Sequence, residues 1–229
     1  MNHPDLFQEK AQGWDADDRH RTLSSAIGNA ILRHVSFDER MRVMDFDAGT
    51  GLISAAIAPL AGKITALDTS EAMLEKLVAK PELQGKVEAV FQDITDKPLG
   101  IRFDRIVSAM AIHHVQDTHK LVRAFAEHAK PGAVIALADL DREDGTFHSK
   151  GTQGVFHHGF DRDGFRALLE KHGFGDICFI TAHSIPREGV TARVISGVAS
   201  HIQVEETEAL HVSRIALMVR GYLRSECVK

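Results

Sequence analysis

Two carboxylates and two glycines share one short stretch of this sequence, VMDFDAGTGLIS, which runs from Val43 to Ser54. An apolar run precedes the glycines and a helical pattern follows them, as in a tight turn between a strand and a helix. Glycines in such a turn let the backbone approach a ligand closely. Asp45 and Asp47 favour a cationic ligand, because a pyrophosphate beside them in a partly desolvated cleft is repelled by several kcal/mol. The stretch therefore predicts a site for a positively charged ligand.

A dinucleotide is the main alternative ligand for this turn. Its fingerprint is G-x-G-x-x-G, and the sequence from Gly49 reads GTGLIS, with Ser54 in place of the third glycine. Taken alone, this partial match is weak. S-adenosylmethionine has a sulfonium and an ammonium and no phosphate, so the glycines suit its methionine part while the carboxylates favour its cationic groups.

Strand-like and helix-like segments alternate along most of the chain, which predicts a parallel sheet covered by helices on both faces. The predicted strands are Arg42–Asp47, Lys63–Asp68, Lys86–Ile94, Phe103–Met110, Ala133–Leu140, Ile177–Ile185 and Val190–Val198. The predicted helices are Asp17–Val35, Leu52–Leu60, Glu71–Lys80, Asp117–Lys130 and residues 161–173. Ser70 and Asp161 are the expected N-caps of the helices that follow them.

The last two strands are joined by four residues, PREG, and so short a link allows only antiparallel neighbours. We therefore expect an α/β fold with a doubly wound, mostly parallel, seven-stranded sheet and one antiparallel strand, similar to a Rossmann fold.

Composition and charge limit the kinds of molecule that this protein is expected to bind. The net charge of -5 gives no general electrostatic reason to bind nucleic acid or an anionic membrane. We see no signal peptide, and no apolar run is long enough to cross a bilayer. Two cysteines, Cys178 and Cys227, provide no disulfide framework and are typical of a reducing compartment. We expect a cytoplasmic protein without nucleic-acid or membrane partners, and its oligomeric state is open.

Five motifs in order resemble those of the class I S-adenosylmethionine-dependent methyltransferases, in particular the small ones that act on small molecules. VMDFDAGTG resembles the first motif, D-x-G-x-G-x-G, with Asp47 where a glycine is usual. ITALDTSEAML and VFQDI resemble the second and third motifs, and FDRIVSAMAIHHV resembles the fourth. KPGAVIALADLD matches the entry to the fifth strand, and KAQGWD resembles an N-terminal segment that helps to cover the pocket. The resemblance covers Phe7 to Val198.

The resemblance implies S-adenosyl-L-methionine as the cofactor and gives several residues a role. Asp68 would accept hydrogen bonds from both ribose hydroxyls, Asp93 would meet the adenine amino group, and Ile94 would lie near the ring. Trp14 would cover the cofactor, although a lone aromatic residue near an N-terminus also packs in a core. Asp47 is either a turn residue or a contact to the cofactor ammonium. The full set of implied contacts is Asp45, Asp47, Gly49, Thr50, Gly51, Asp68, Thr69, Asp93, Ile94, Ala109 and Trp14.

The chain divides into three predicted regions. Residues 1–40 form an N-terminal helical cover of the cofactor pocket, and residues 41–199 form the methyltransferase core. Residues 200–229 form a C-terminal appendage, for which an imperfect apolar periodicity favours a helix.

Histidines are concentrated in two segments, after the fourth strand and in the long connection of residues 141–160. They are His113, His114, His119, His148, His157 and His158. Because neighbouring parallel strands end at one edge of the sheet, we expect the acceptor between the two segments. His114 is the expected base or orienting group, whereas His113 would point elsewhere if the chain is still extended there. No spacing matches a defined metal motif, so we predict no metal site, and metal binding by the histidine-rich loop stays open.

The predicted function is transfer of a methyl group from S-adenosylmethionine to a small-molecule acceptor by in-line displacement. The sulfonium already provides a good leaving group, so the protein has mainly to align the reacting atoms and to remove a proton where the acceptor requires it. Two alternatives are a catalytically silent cofactor-binding or partner-binding protein, and an NAD-type oxidoreductase, which Ser54 and the acids disfavour. The identity of the acceptor, and whether its oxygen, nitrogen, sulfur or carbon is methylated, stays open.

Overall fold

The computed structural model describes residues 5, 7–149, 151–187 and 190–201. Within these ranges seven strands form one sheet: β1 (Arg42–Phe46), β2 (Lys63–Asp68), β3 (Val87–Phe91), β4 (Phe103–Ala109), β5 (Ala129–Leu140), β6 (Phe174–Arg187) and β7 (Val190–His201). The α-helices of the same ranges are α1 (Asp18–His34), α2 (Leu52–Ile57), α3 (Glu71–Val78), α4 (Thr118–His128) and α5 (Arg162–Lys171). Short 3₁₀ helices cover Ala11–Ala16, Pro81–Leu83 and Ile112–His114.

The order of the strands in the sheet is β3-β2-β1-β4-β5-β7-β6. The strands from β3 to β5 run parallel, and β7 runs antiparallel to both of its neighbours, β5 and β6. This confirms the predicted doubly wound sheet with one antiparallel strand. The chain first builds outward from β1 to β3 and then adds β4 on the other side of β1, so the order reverses between β1 and β4. In open α/β sheets a ligand crevice lies at such a point, outside the carboxyl ends of the strands.

Two buried apolar layers hold the helices on opposite faces of the sheet. Successive side chains of a strand point to opposite faces, and the neighbours Val43 and Met44 of β1 accordingly belong to different layers. Ile27 of α1 and Leu77 of α3 are buried in the first layer, and Phe125 of α4 is buried in the second. The packed helices thereby fix the strands, and the strands fix the turns at their carboxyl ends.

Side-chain caps set the beginning of two helices, as predicted. The Ser70 side chain accepts a hydrogen bond from the backbone N–H of Met73 at the start of α3. The Asp161 side chain accepts one from the backbone N–H of Gly164 at the start of α5. Each cap satisfies a backbone donor that has no partner within its helix.

Two predicted boundaries differ from the structure for a clear physical reason. Helix α2 ends at Ile57, earlier than predicted, because Pro59 has no backbone N–H to continue the hydrogen-bond ladder. Strand β5 begins at Ala129, ahead of the Pro131–Gly132 pair that was expected to precede it. Ala129 pairs with Phe103, and a register shift between β4 and β5 accommodates the proline.

Other expectations fall partly outside the described ranges. Residues 202–229, the bulk of the predicted C-terminal appendage, lie outside the described residues. Cys178 on β6 is disulfide-bonded, which differs from the expectation of cysteines without a disulfide. Among the helices of the described ranges, none is long and apolar enough to cross a membrane.

Candidate functional site

A cleft lies at the carboxyl ends of β1, β2 and β4, where the strand order reverses. Asp45 and Asp47 line it from the end of β1, Asp68 from the end of β2, and Ala109 from the end of β4. Trp14 faces the same cleft from the N-terminal segment. Predicted site residues from four separate parts of the chain therefore share one cavity.

The turn after β1 contains three left-handed residues, Asp47 (φ 55°), Gly49 (φ 56°) and Gly51 (φ 81°). Glycine adopts this region easily, and aspartate is among the few other residues that tolerate it. An aspartate at position 47 is therefore compatible with a turn in which glycine is usual. A Cβ atom at Gly51 would lie 2.8 Å from the Leu77 side chain. Gly51 therefore allows the turn to pack closely against α3.

The Asp68 carboxylate joins the turns after β1 and β2. Its Oδ2 accepts a hydrogen bond from the backbone N–H of Gly49 (2.7 Å), and its Oδ1 accepts one from Ser70 (2.8 Å). Burial raises the pKa of Asp68, and these backbone hydrogen bonds oppose the rise. Each carboxylate oxygen has a second lone pair, so Asp68 can also accept hydrogen bonds from a ligand diol.

Neighbouring carboxylates in the cleft disfavour one another's charged forms. Burial raises the pKa of Asp45 to about 7, although the Ser54 hydroxyl donates to its Oδ2 at 2.6 Å. Burial, together with the charges of Asp68 and Asp45, raises the pKa of Asp47 well above its usual value. A cation in the cleft lowers both pKa values, because it favours the ionised carboxylates. The electrostatics of the cleft therefore favour a cationic ligand.

A second part of the cleft continues from Asp68 toward the turn after β3. Thr69 and Asp93 line this part. One oxygen of Asp93, Oδ1, accepts a hydrogen bond from the backbone N–H of Thr95 at 2.7 Å. The Ile94 side chain is 1% exposed and packs in the apolar layer under α4. A contact between Ile94 and a ligand thus stays a prediction, whereas Asp93 is accessible from the cleft.

Polar contacts tie the N-terminal segment to the rim of the cleft. Asp15 accepts the hydroxyl hydrogen bond of Thr50 (2.5 Å) and forms an ion pair with Lys80 (2.7 Å). The Asp5 carboxylate accepts a hydrogen bond from the Ser70 hydroxyl at 2.7 Å. These contacts hold the segment over the turns after β1 and β2.

Aromatic rings form one wall of the cleft, from the N-terminal segment to the residues after β4. The Trp14 ring stacks on His20 with the ring centroids 4.0 Å apart. Phe7 stands edge-on to Trp14 (5.9 Å) and to His114 (5.7 Å). Trp14 is half-buried, so part of its indole is available to a ligand.

Three histidines converge at the end of the cleft beyond β4. The chain there forms the 3₁₀ helix Ile112–His114, so it is no longer extended, and both His113 and His114 line the cleft. An extended chain would have pointed His113 away from His114, but the helical turn brings both rings to the cleft. His148, from the connection after β5, completes the group, with its Nε2 atom 3.1 Å from the Nε2 atom of His113.

Buried hydrogen bonds orient two of these rings. Asp139 of β5 is 2% exposed; its Oδ1 lies 2.7 Å from His113 Nδ1, and its Oδ2 accepts the Ile112 backbone N–H at 2.8 Å. His114 Nδ1 lies 2.7 Å from the Gly154 carbonyl oxygen. Burial and the neighbouring His113 lower the pKa of His114 to about 4. His114 is therefore neutral at pH 7 and donates from Nδ1, which leaves Nε2 as an acceptor.

The other histidines of the two segments make different contacts. His157 Nε2 lies 2.9 Å from a backbone carbonyl oxygen after β4. His158 faces Glu143 at 3.6 Å, and His119 pairs with His172 at 3.2 Å on the surface. His157 and His158 were expected over the acceptor region. In the structure His157 contacts the segment that follows β4, and His158 contacts Glu143 within residues 141–160.

A family model described as a methyltransferase domain matches residues 17–187. The chain belongs to the class I S-adenosylmethionine-dependent methyltransferases. This confirms the resemblance that the five motifs indicated.

Two relatives match just over half of the chain. An uncharacterized methyltransferase of Schizosaccharomyces pombe is 30% identical over 135 residues, and the match covers 52% of this chain and 48% of the relative. A ubiquinone biosynthesis O-methyltransferase of Xanthomonas campestris pv. campestris is 30% identical over 142 residues, and the match covers 58% of each chain. The chain thus spans about half the length of the curated relatives it matches.

Solved structures share the fold of this chain. A chain of the complex between the Haloferax volcanii Trm112 methyltransferase activator and a methyltransferase has a TM-score of 0.69 at 16% identity, covering 89% of this chain and 100% of that chain. Phosphoethanolamine N-methyltransferase 2 of Haemonchus contortus, solved with S-adenosyl-L-methionine, has a TM-score of 0.62 at 15% identity, covering 86% and 60%.

Three acids contact the site although none of them was predicted as a site residue: Asp5, Asp15 and Asp139. Asp139 stands in the apolar strand AVIALADL, and that was a usable signal, because a buried carboxylate requires hydrogen-bond partners. Asp5 and Asp15 gave no such signal, since charged residues near an N-terminus are ordinarily solvated. Their contacts depend on how the N-terminal segment crosses the sheet edge.

Proposed function

We propose that this protein transfers a methyl group from S-adenosylmethionine to a small-molecule acceptor. The observation that carries the proposal is the arrangement of Asp45, Asp47 and Asp68 around the turn at Gly49. A ligand with an ammonium and a sulfonium suits this charge, whereas a ligand with phosphates is repelled by it. Membership of the family supports the same cofactor.

In this proposal the cofactor lies along the carboxyl ends of the central strands. Asp68 accepts hydrogen bonds from the ribose hydroxyls, and Asp93 accepts one from the adenine amino group. Asp47 and Asp45 stabilise the ammonium of the methionine half. Trp14 covers the cofactor from the N-terminal segment, which its stacking on a neighbouring ring at the cleft wall supports.

The acceptor lies beyond the end of β4, between His114 and His148. A lone pair of the acceptor atom forms a bond to the methyl carbon, and the methyl–sulfur bond breaks with its electron pair left on sulfur. The acceptor, methyl carbon and sulfur must be in line, so positioning supplies much of the rate. His114 orients the acceptor through the nitrogen that does not bond to the Gly154 carbonyl.

Ligand binding tests the cofactor part of the proposal. S-adenosylmethionine and S-adenosylhomocysteine should each raise the melting temperature, as a ligand of the native state does, and NAD should not. Asp68→Ala should weaken this binding by about 1–3 kcal/mol, the scale of hydrogen bonds to a charged group. Asp104→Ala is the matched control, since Asp104 also accepts a backbone N–H (from Arg42, 2.9 Å) but lies at the other end of its strand. A shift with NAD and none with either adenosyl compound would contradict the proposal.

Turnover tests the acceptor part. An acceptor screen should detect S-adenosylhomocysteine, and it should begin with hydroxylated compounds because one relative is an O-methyltransferase. For an accepted compound, His114→Ala should lower turnover at least about tenfold with little change in cofactor affinity. His119→Ala, an exposed histidine of the same segment, should retain activity. Equal turnover in His114→Ala would remove this location for the acceptor, and binding without turnover across the panel would indicate a silent cofactor-binding protein.

A further inference from the structure

Three imidazoles meet beside the proposed position of the methyl group. His113 and His114 come from the 3₁₀ helix after β4, and His148 comes from the connection after β5. One nitrogen from each ring lies within 4.8 Å of the corresponding nitrogens of the other two. Residues 35 positions apart in the sequence thus place their nitrogen atoms around one point.

The hydrogen bonds of two rings decide which nitrogens carry lone pairs. The Gly154 carbonyl oxygen is an acceptor only, so His114 Nδ1 carries the proton and Nε2 has the lone pair. The Asp139 carboxylate lies 2.7 Å from His113 Nδ1 and favours a proton there. In its neutral form His113 therefore presents the lone pair of Nε2, the atom that faces His148.

We propose that His113, His114 and His148 bind a divalent zinc ion. Zn–N bonds of about 2.0–2.1 Å in a tetrahedral site place two ligand nitrogens about 3.3 Å apart. The 3.1 Å between the Nε2 atoms of His113 and His148 is close to that spacing. Three neutral imidazoles leave a fourth position open, which is typical of catalytic rather than structural zinc sites.

The surroundings of the three rings support this assignment. Metal-bound histidines usually donate their other ring nitrogen to a carboxylate or a carbonyl, which fixes the ring. The Asp139 carboxylate lies beside Nδ1 of His113, and the Gly154 carbonyl oxygen lies beside Nδ1 of His114. Asp139 also lies near enough to Asp47 for their charges to interact, so this end of the cleft attracts a cation.

The zinc ion would bind the acceptor, and this role rests on the proposed methyl transfer. With the ion held by the three histidines, a hydroxyl group of the acceptor would take the open position and would lose its proton to solvent more easily, because a bound cation lowers its pKa. The oxygen lone pair then forms the bond to the methyl carbon as the methyl–sulfur bond breaks. The substrate class inferred for the site is therefore a small molecule with a methylatable hydroxyl group.

Metal titration of the full chain tests the site without requiring an acceptor. Zn²⁺ should bind at one equivalent by calorimetry, and Co²⁺ should give the visible absorption of a tetrahedral site that Zn²⁺ displaces. His148→Ala should weaken binding at least about tenfold, and Asp139→Asn should weaken it about 10–100-fold. His172→Ala is the matched control, because His172 also faces another histidine (His119, 3.2 Å) but belongs to an exposed pair.

A titration with S-adenosylhomocysteine on the same preparations separates the two proposals. The parent and His148→Ala should bind this compound equally, which also shows that the variant is folded. Cofactor binding without the one-equivalent metal site would overturn the zinc inference alone, and so would equal metal affinity in His148→Ala. In that case the His113–His148 contact is a hydrogen bond. Metal binding without cofactor binding would instead overturn the methyl transfer and leave the zinc site standing.

Discussion

Asp45→Asn should change how the stability of the ligand-free protein depends on pH. Asp45 is 1% exposed, and burial raises its pKa from 3.8 to about 7. The folded protein therefore keeps a proton on this carboxyl at pH values where the unfolded chain has lost it. The stabilisation from that proton is complete below about pH 3.8 and is lost as the pH rises through about 7.

The magnitude follows from the difference between the folded and unfolded pKa values. The difference is about 3 units, and each unit corresponds to about 1.4 kcal/mol, so the free energy of unfolding falls by about 4 kcal/mol across the whole window. About 2–3 kcal/mol of this loss falls between pH 5 and pH 8, because the window begins below pH 5. Asparagine does not titrate and keeps an oxygen that can accept the hydrogen bond from Ser54.

Urea unfolding of the parent and the variant at pH 5 and pH 8 measures this effect. The free energy of unfolding of Asp45→Asn minus that of the parent should be about 2–3 kcal/mol larger at pH 8 than at pH 5. Asp104→Asn is the control: burial would raise the pKa of Asp104, but hydrogen bonds from Lys130 and Arg42 outweigh it and lower the pKa. Its difference from the parent should be the same at both pH values. An equally constant difference for Asp45→Asn would refute the reasoning, since Asp45 would then be ionised in the folded protein.

Further expected outcomes concern the same turn. Asp47→Asn should weaken S-adenosylhomocysteine binding in calorimetry if its carboxylate meets the ammonium, and unchanged affinity would make it a turn residue alone. S-adenosylhomocysteine should bind more tightly at pH 7.5 than at pH 5.5 and should release protons, because its ammonium favours the ionised Asp45; an affinity that falls with pH would contradict this. Gly51→Ala should lower stability in thermal unfolding by more than Gly49→Ala does. Both glycines have positive φ, which costs alanine about 1–2 kcal/mol, but a Cβ at Gly51 would also lie too close to the Leu77 side chain. Equal losses of stability in the two variants would show that this close contact contributes nothing.

The sequence was sufficient for the fold because the deciding signals are local. Ser70 and Asp161 cap their helices through residues three positions ahead, and both were predicted from the sequence. The short PREG link between the last two predicted strands allows only an antiparallel pair, and the structure contains that pair as β6 and β7. The start of β5 at Ala129 was not predictable, because it depends on pairing with Phe103 and on a shift of register in a different strand.

The site was predicted where a motif and a strand end coincide, and less well where distant segments meet. Asp68 lies where its spacing from the glycine turn placed it, and its bonds to both turns follow from that position. The contact of His148 with His113 joins a connection without periodicity to a 3₁₀ helix, so its register could not be predicted from the sequence. The orienting role of Asp139 also appears only after β5 is placed beside β4.

The indole at the cleft wall has a practical consequence for spectroscopy. Trp14 is the single tryptophan of the sequence, so the whole tryptophan emission of the protein arises beside the cleft. Its stacking on His20 makes that emission sensitive to small displacements of the N-terminal segment. Occupancy of the cleft can therefore be followed in the unlabelled protein, at one wavelength, with each molecule contributing one fluorophore. A stopped-flow trace of this signal would give the rate at which a ligand enters and the rate at which the wall settles around it.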